Sequence, residues 1–267
     1  MKLSYIITTY NRQELLENAA AFVARERCEN SELIVVDDNS KIPATIPAIA
    51  KEAFPKAHRL IRNQENLGVI GARNAGISAS RGEFIVFLDD DDESFANRTT
   101  ELLAAIENSD FDFVAARAVA GKGEGEKIVP AISGFLLTPE KLLLYPSHID
   151  AIIWRRKMFA GTEGLDNRVP YLGEHISLVM CLLHGGSGWL SEALVARFAY
   201  IESGLTLQAQ EQNALKRHLL DMHGIFLEES ETPALRQLFD RIISMLQKET
   251  IADFDDYLQK LEPIIRR

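Results

Sequence analysis

Short apolar runs alternate with helical stripes along the first half of the chain. Residues 3–8 (LSYIIT), 32–37 (ELIVVD) and 84–89 (FIVFLD) are near-continuous hydrophobic runs rich in β-branched and aromatic side chains, the pattern of strands buried on both faces. Behind the first run, Asn11 and Glu14 are spaced as in a capping box, and Leu15, Leu16, Ala19, Phe22 and Val23 then share one helical face. Strands alternating with helices predict an α/β fold, with a mostly parallel, doubly wound sheet and flanking helices. A further strand is expected in 111–120 (FDFVAARAVA), a flexible charged loop in 121–127 (GKGEGEK) and an extended segment in 151–159 (AIIWRRKMF). Glu174 to His184 reads as a helix stopped by Gly185-Gly186.

The tail differs in character. Thr232-Pro233 suits a helix start. The stripes Leu235, Leu238, Phe239, Ile242, Ile243, Leu246 and Phe254, Tyr257, Leu258, Leu261 predict a C-terminal helical extension over 206–267. Its apolar faces either cover the core or pair two copies in a homodimer.

At 267 residues, with 46% hydrophobic and 25% charged side chains, the chain has an ordinary globular make-up. A net charge of −10 gives none of the basic surface on which nucleic-acid binding draws, so no nucleic-acid partner is expected. No run approaches the ~18 apolar residues of a membrane span, and Met1-Lys2 leads into no signal-peptide pattern. A cytoplasmic location is expected, with peripheral association at the inner face of a membrane left open. Cys28 and Cys181 both fall in helical patterns and are expected as buried thiols rather than a disulfide.

Ligands of open parallel sheets bind outside the carboxyl ends of the strands. Here all three predicted ends are polar or acidic: TTYNR (8–12), DDNS (37–40) and Asp89-Asp90-Asp91-Asp92. Each alone has an ordinary use, as a helix-start turn, an Asx-turn or a solvated loop. Their convergence on one sheet edge is harder to dismiss. Carboxylates ~6 Å apart repel by roughly 3 kcal/mol per pair at an effective dielectric near ~20, so four in a row need solvent or a cation. Mg2+ or Mn2+ prefers carboxylate oxygens and takes phosphate oxygens in its remaining positions. Such an ion would bridge an Asp and a diphosphate, and neutralise a leaving phosphate.

With IITTYNR, ELIVVDDNS, NLGVIGARNAGISASRGEFIVFLDDDD and GEHISLVMCLLHGG in place, the chain resembles the family 2 glycosyltransferases of GT-A fold. The likeness is dense over 1–92, thins to isolated pieces through 206 and leaves the C-terminal extension outside it. It implies a GT-A domain over 1–205, with a nucleotide-binding half at 1–115 and an acceptor-binding half at 116–205. It further implies that Thr8 and Tyr10 line the base and ribose, that Asp38 hydrogen-bonds the uracil edge, and that Asn66 and Arg73 lie near base and phosphates. Asp89 and Asp91 match the family's acid-x-acid motif: Asp91 as metal ligand, Asp89 as a second ligand or, like Asp90, a neighbour of the ribose. The implied activity is metal-dependent transfer of a hexose or N-acetylhexosamine, with inversion, from a UDP-sugar to a saccharide or lipid-linked saccharide in surface polysaccharide synthesis. Tyr10, Asp38 and Asp91 can offer the base a flat face, the uracil N–H an acceptor and the diphosphate a cation. Arg73 can add charge at the phosphates.

Inverting transfer needs a base for the acceptor hydroxyl's proton. In the family this is usually the Asp of a Glu-Asp pair opening a helix, where this chain has Glu174-His175. His175, which a helix N-terminus keeps neutral, is one candidate. Glu174 is the second, and donor binding without catalysis is the third outcome. Glu202 falls near the place of a late metal-ligand histidine in relatives and is either its substitute or a plain loop residue; His184 is expected to be structural. Two other classes share fragments of the pattern. A phosphoacceptor receiver domain would carry its acid pair on the first strand, and a nucleotidyltransferase would open on a Gly-rich phosphate loop that is absent here.

Overall fold

The computed structural model describes residues 1–121, 126–169, 172–198 and 212–266. Four strands, β1 (Leu3–Thr9), β2 (Ser31–Asp37), β3 (His58–Arg62) and β4 (Phe84–Asp89), run parallel in the spatial order β3-β2-β1-β4. The sheet continues through β9 (Ile152–Arg155), antiparallel to β4, then β6 (Phe113–Ala120) and β10 (Gly188–Phe198), which are parallel to each other. Short β5 (Glu93–Ser94) and β8 (Phe135–Leu136) attach to β10, and β7 (Lys127–Val129) to β6. The parallel order expected from the apolar runs holds for β3-β2-β1-β4 and again for β6-β10, but β9 is inserted antiparallel between these parts and β5, β7 and β8 are antiparallel to their neighbours, so the sheet as a whole is mixed.

The runs are continuous because both faces of the sheet are covered. Tyr5, Ile7, Leu33, Val35, Val86 and Leu88 pack on one face with Leu16, Ala19 and Val23 of α1 (Gln13–Glu26) and Leu102 and Ile106 of α4 (Arg98–Glu107). Ile6, Ile34, Val36, Ile85 and Phe87 pack on the other with α3 (Gly68–Ala79) and α6 (Gly173–Leu183). α3 lies so close that a Cβ on Gly76 would stand 2.5 Å from Ile6 Cγ2. Two shorter helices, α2 (Ala48–Ala53) and α5 (Pro139–Leu144), complete the body.

The C-terminal extension consists of α7 (Gln212–Glu229), α8 (Pro233–Lys248) and α9 (Phe254–Ile265). Its stripes turn inward: Leu238, Phe239, Ile242, Leu246, Tyr257 and Leu261 join Ile176 and Val179 of α6 in one buried cluster. They cover this chain's own core.

Several local expectations shift. Asn11 does not cap α1, which opens at Gln13 with no side-chain cap; Asn11 sits at φ 57° and its Oδ1 accepts the Lys41 amide at 2.7 Å. The 151–159 segment is extended only over Ile152–Arg155, between two 3-10 turns, Ile149–Ala151 and Arg156–Phe159. Cys28 lies beyond the end of α1, Cys181 lies within α6, and both are free. Residues 122–125 of the expected loop, Glu202 and the expected boundary at 205 lie outside the described residues.

Candidate active site

Parallel register sets Thr8 beside Asp89 and Thr9 beside Asp37, so the strand ends finish at one edge. The adjacent acids Asp37 and Asp38 have different duties. Asp37 is fully buried; it accepts the amides of Ser40 (2.9 Å) and Ala44 (3.0 Å) and Arg62 Nη1 (2.7 Å). Burial pushes its carboxyl up, but the Ser40 and Ala44 hydrogen bonds and the Arg62 charge outweigh this and leave it below its ordinary value. Asp37 therefore builds the loop. Asp38 Oδ1 accepts Asn63 Nδ2 (2.7 Å) and the Leu67 amide (3.0 Å), which aims the carboxylate and leaves Oδ2 with no donor among the described residues. Thr8 is half-buried, and Tyr10 is 42% exposed. Asn66 is exposed and accepts the Gly68 amide at 3.1 Å, at the start of α3.

The four acids of the run differ as well. Asp89 receives Arg73 Nη2 on both oxygens at 2.7 Å, and Arg73, almost wholly buried on α3, reaches Glu174 Oε2 at 3.3 Å through Nη1. Thr9 Oγ1 donates to Asp90 Oδ2 at 2.7 Å. Arg12 spans the next two acids, 2.9 Å from Asp90 Oδ1 and 2.8 Å from Asp91 Oδ2. Burial raises Asp90 to about 7 against the pull of Arg12 and Thr9. Asp92 turns inward against Asp150, and burial and the neighbouring carboxylates hold both well above the usual range.

Asp150 belongs to the turn before β9. It is fully buried, and its Oδ1 accepts the Asp89 amide at 3.1 Å. Arg98, also fully buried, pins that turn to β4: Nη1 donates to the carbonyls of Phe87 (2.7 Å) and Asp150 (3.1 Å), while Nη2 pairs with Glu26 Oε1 at 2.6 Å. Next to Asp150, the His148 ring stacks on Phe198 with centroids 4.2 Å apart and planes 9° apart. Its Nε2 stands 3.6 Å from Asp92 Oδ2, and burial lowers the ring to about 4, so it is neutral. Arg12, Asp92, Arg98, His148 and Asp150 were not among the expected site residues. Arg12 and Asp92 adjoin the motifs; the other three carry no local signal.

Glu174 and His175 part company at the start of α6. Glu174 joins the acid cluster through Arg73, and burial raises its carboxyl while Arg73 opposes. His175 has no ion pair to that cluster among the described residues. Burial lowers it to about 4. His184, at the far end of α6, lies 3.8 Å from Glu229.

A divalent cation needs several converging oxygen or imidazole donors. Asp89, Asp92 and His148 bring ligand atoms within 4.8 Å of one another, and the buried Asp150 Oδ2 and His148 Nδ1 have no hydrogen-bond partner. The donor set fits such an ion. Asp91 is held by Arg12 and stands outside that trio.

Residues 4–172 match the sequence profile described as Glycosyl transferase family 2, well over half of the chain, and the chain belongs to that family. It is similar to the GalNAc(5)-diNAcBac-PP-undecaprenol beta-1,3-glucosyltransferase of Campylobacter jejuni, 36% identical over 104 residues, 38% of this chain and 33% of that protein. It is also similar to the putative colanic acid biosynthesis glycosyl transferase WcaA of Escherichia coli K12, 34% identical over 102 residues, 38% of this chain and 37% of that protein. The match thus spans about a third of each relative's length. Staphylococcus aureus TarS 1-349 in complex with UDP-GlcNAc shares the fold with a TM-score of 0.72 at 15% identity, covering 100% of this chain and 81% of that one. The mannosyltransferase PcManGT of Pyrobaculum calidifontis, in complex with GDP-Man and Mn2+, does so with a TM-score of 0.68 at 14% identity, covering 98% and 73%. These likenesses establish the GT-A architecture. Among the described residues, no helix is long and apolar enough to cross a membrane.

Proposed function

We propose that this chain is a cation-dependent glycosyltransferase that moves a sugar from a nucleotide-sugar, a UDP-sugar foremost, to a saccharide or lipid-linked saccharide acceptor in polysaccharide synthesis. The observation that carries this reading is the meeting of Asp38, Arg73, Asp89 and Glu174 at the carboxyl edge of a parallel sheet in a family 2 chain. The lipid-linked acceptor and the polysaccharide role are suggested by the names of the relatives.

Tyr10 and Thr8 flank the base, and the open Oδ2 of Asp38 accepts a base N–H. The acid run 89–92 holds the cation, with Asp91 and Asp89 as the ligands the family resemblance assigns. When bound, that ion offsets the charge gathering on the leaving diphosphate. Arg73 orients Asp89 and opposes the burial that raises the Glu174 carboxyl. Glu174 then takes the proton of the acceptor hydroxyl as that oxygen attacks the anomeric carbon from the face opposite the leaving group, which inverts the centre. His175, which has no ion pair to the acid cluster among the described residues, is the weaker candidate for this base, whereas Glu174 joins the cluster through Arg73.

Calorimetric titration of UDP, and of GDP beside it, with and without Mn2+ tests the donor site. Binding of UDP that needs the ion is expected. Silence of both nucleotides under every condition overturns the reading. Tight ion-dependent UDP binding with no turnover of any UDP-sugar would mark a donor-binding protein, an outcome favoured by the ion pair that occupies Glu174.

A further inference from the structure

We propose that Arg12 is a built-in counter-ion for Asp91, which it yields when a divalent cation binds there. The freed guanidinium turns to the diphosphate of the donor, so that cation and nucleotide bind cooperatively. The inference rests on the cation-dependent donor site proposed above, with Asp91 as a ligand, and adds to that site a residue that regulates it.

Three observations lead there. The first is how the four acids are held. Asp89 carries the Arg73 fork on both oxygens, Asp90 accepts Thr9 Oγ1, and Asp92 lies against Asp150. Arg73, Thr9 and Asp150 are all buried. Asp91 differs. Among the described residues, Arg12 is the one side chain that hydrogen-bonds it, Nη1 to Oδ2 at 2.8 Å. The same guanidinium stands 2.9 Å from Asp90 Oδ1, but that oxygen makes no hydrogen bond, so the attraction there is one of charge alone. Arg12 can therefore leave while Asp89, Asp90 and Asp92 keep their own anchors.

The second is the setting of Arg12. Its side chain is 33% exposed, against 4% for Arg73, which gives it room to turn. Arg12 directly precedes α1, and the partial positive charge at a helix N-terminus opposes a cation. The guanidinium is thus held by acids across the site and not by its own helix. Its backbone is fixed all the same. Asn11, at φ 57°, donates its amide to Ser40 Oγ at 2.8 Å and accepts the Lys41 amide on Oδ1 at 2.7 Å. A pinned backbone with a long, half-exposed side chain suits a group that changes partner.

The third is the balance of charge. A divalent cation and a guanidinium on the same carboxylate repel each other. Without a nucleotide, a cation on Asp91 therefore comes at the expense of the Arg12 bond. With a diphosphate present, the displaced guanidinium meets phosphate oxygens suited to its fork, and the loss is offset. Each ligand then raises the affinity for the other by the same factor.

The test is a binding cycle on the full chain. Mn2+ affinity is read from loss of the free-ion EPR signal, with and without UDP, beside calorimetric titration of UDP with and without Mn2+. Arg12→Gln and Arg12→Met remove the charge, and Arg12→Lys keeps it; thermal unfolding checks the fold, and one folded neutral variant suffices. Expected in the neutral variants without UDP is a Mn2+ affinity raised about fivefold, the size of a partly exposed ion pair. The factor by which UDP tightens Mn2+ should shrink by about as much, while Arg12→Lys stays within about twofold of the unaltered chain. A merely structural Arg12 would instead weaken both ligands together and leave their coupling unchanged. That pattern, or neutral variants that match the unaltered chain throughout, overturns the inference and leaves the cation-dependent donor site standing. If the unaltered chain shows no Mn2+-dependent binding of UDP, the cation-dependent reading itself falls, and this inference with it.

Discussion

Glu174 and His175 are neighbours in sequence with unlike surroundings, and the contrast yields a kinetic prediction. Glu174→Gln should lower nucleotide release from the donor by about 100-fold or more while UDP affinity stays within a few-fold. His175→Ala should have a much smaller effect on rate. Initial-rate assays with calorimetry on both variants check this, and the reverse pattern would move the base to His175. Arg73 makes a different point at the same scale. It is the shared partner of two largely buried carboxylates, so Arg73→Ala leaves both uncompensated. Chemical denaturation should show a loss of roughly 3–5 kcal/mol. Arg73→Lys, which keeps the charge but not the fork, should recover only part of it.

The elements owe their places to close packing, and Gly76 shows how little slack there is. With Ile6 Cγ2 2.5 Å from where its Cβ would be, Gly76→Ala must push α3 off β1. An overpacking cost of about 1–3 kcal/mol is expected from denaturant midpoints, despite the better helix propensity of alanine. The C-terminal helices carry a pH dependence. His223 on α7 lies against Phe226, Phe239 and Tyr257, its Nε2 2.6 Å from the Tyr257 hydroxyl, and burial lowers it from 6.5 to about 3. The folded state thus binds fewer protons than the unfolded one between those values. Its contribution is full above pH 6.5 and is lost as pH falls toward about 3. His223→Gln removes the titration and should flatten unfolding free energy against pH across that window, by at most ~1.4 kcal/mol per pH unit.

For the whole molecule, the site joins segments far apart in the chain, so its ligands should stabilise the fold as a unit. UDP with Mn2+ at ~100 times the dissociation constant should add about 2.7 kcal/mol to unfolding, and chelation should remove the ion-dependent part. Differential scanning fluorimetry with and without chelator reads both. What could be foreseen here followed local periodicity. The runs at 3–8, 32–37 and 84–89 had to be strands buried twice over, and parallel strands place their carboxyl ends, with Tyr10, Asp38 and the acid run, on one edge. Amphipathic stripes such as Leu238, Phe239 and Ile242 likewise marked the C-terminal helices. His148, Asp150 and Arg98 were not legible, because nothing within a few residues of them signals the site. They reach it only when β9 inserts antiparallel beside β4 and Arg98 seals the turn before it. The same holds within the motifs: four identical aspartates in a row gain four different environments from Arg73, Arg12, Thr9 and Asp150. By itself, the sequence determined the strands at 3–8, 32–37, 84–89 and 111–120, the helical stripes of α1, α6 and the C-terminal extension, and the edge where chemistry gathers, since burial with period 2 or 3.6 is written in neighbouring residues; β3 and β10 were not foreseen. Which acid meets which partner was decided by tertiary structure, since it depends on contacts between residues 16 to 101 positions apart that exist only once the sheet has closed.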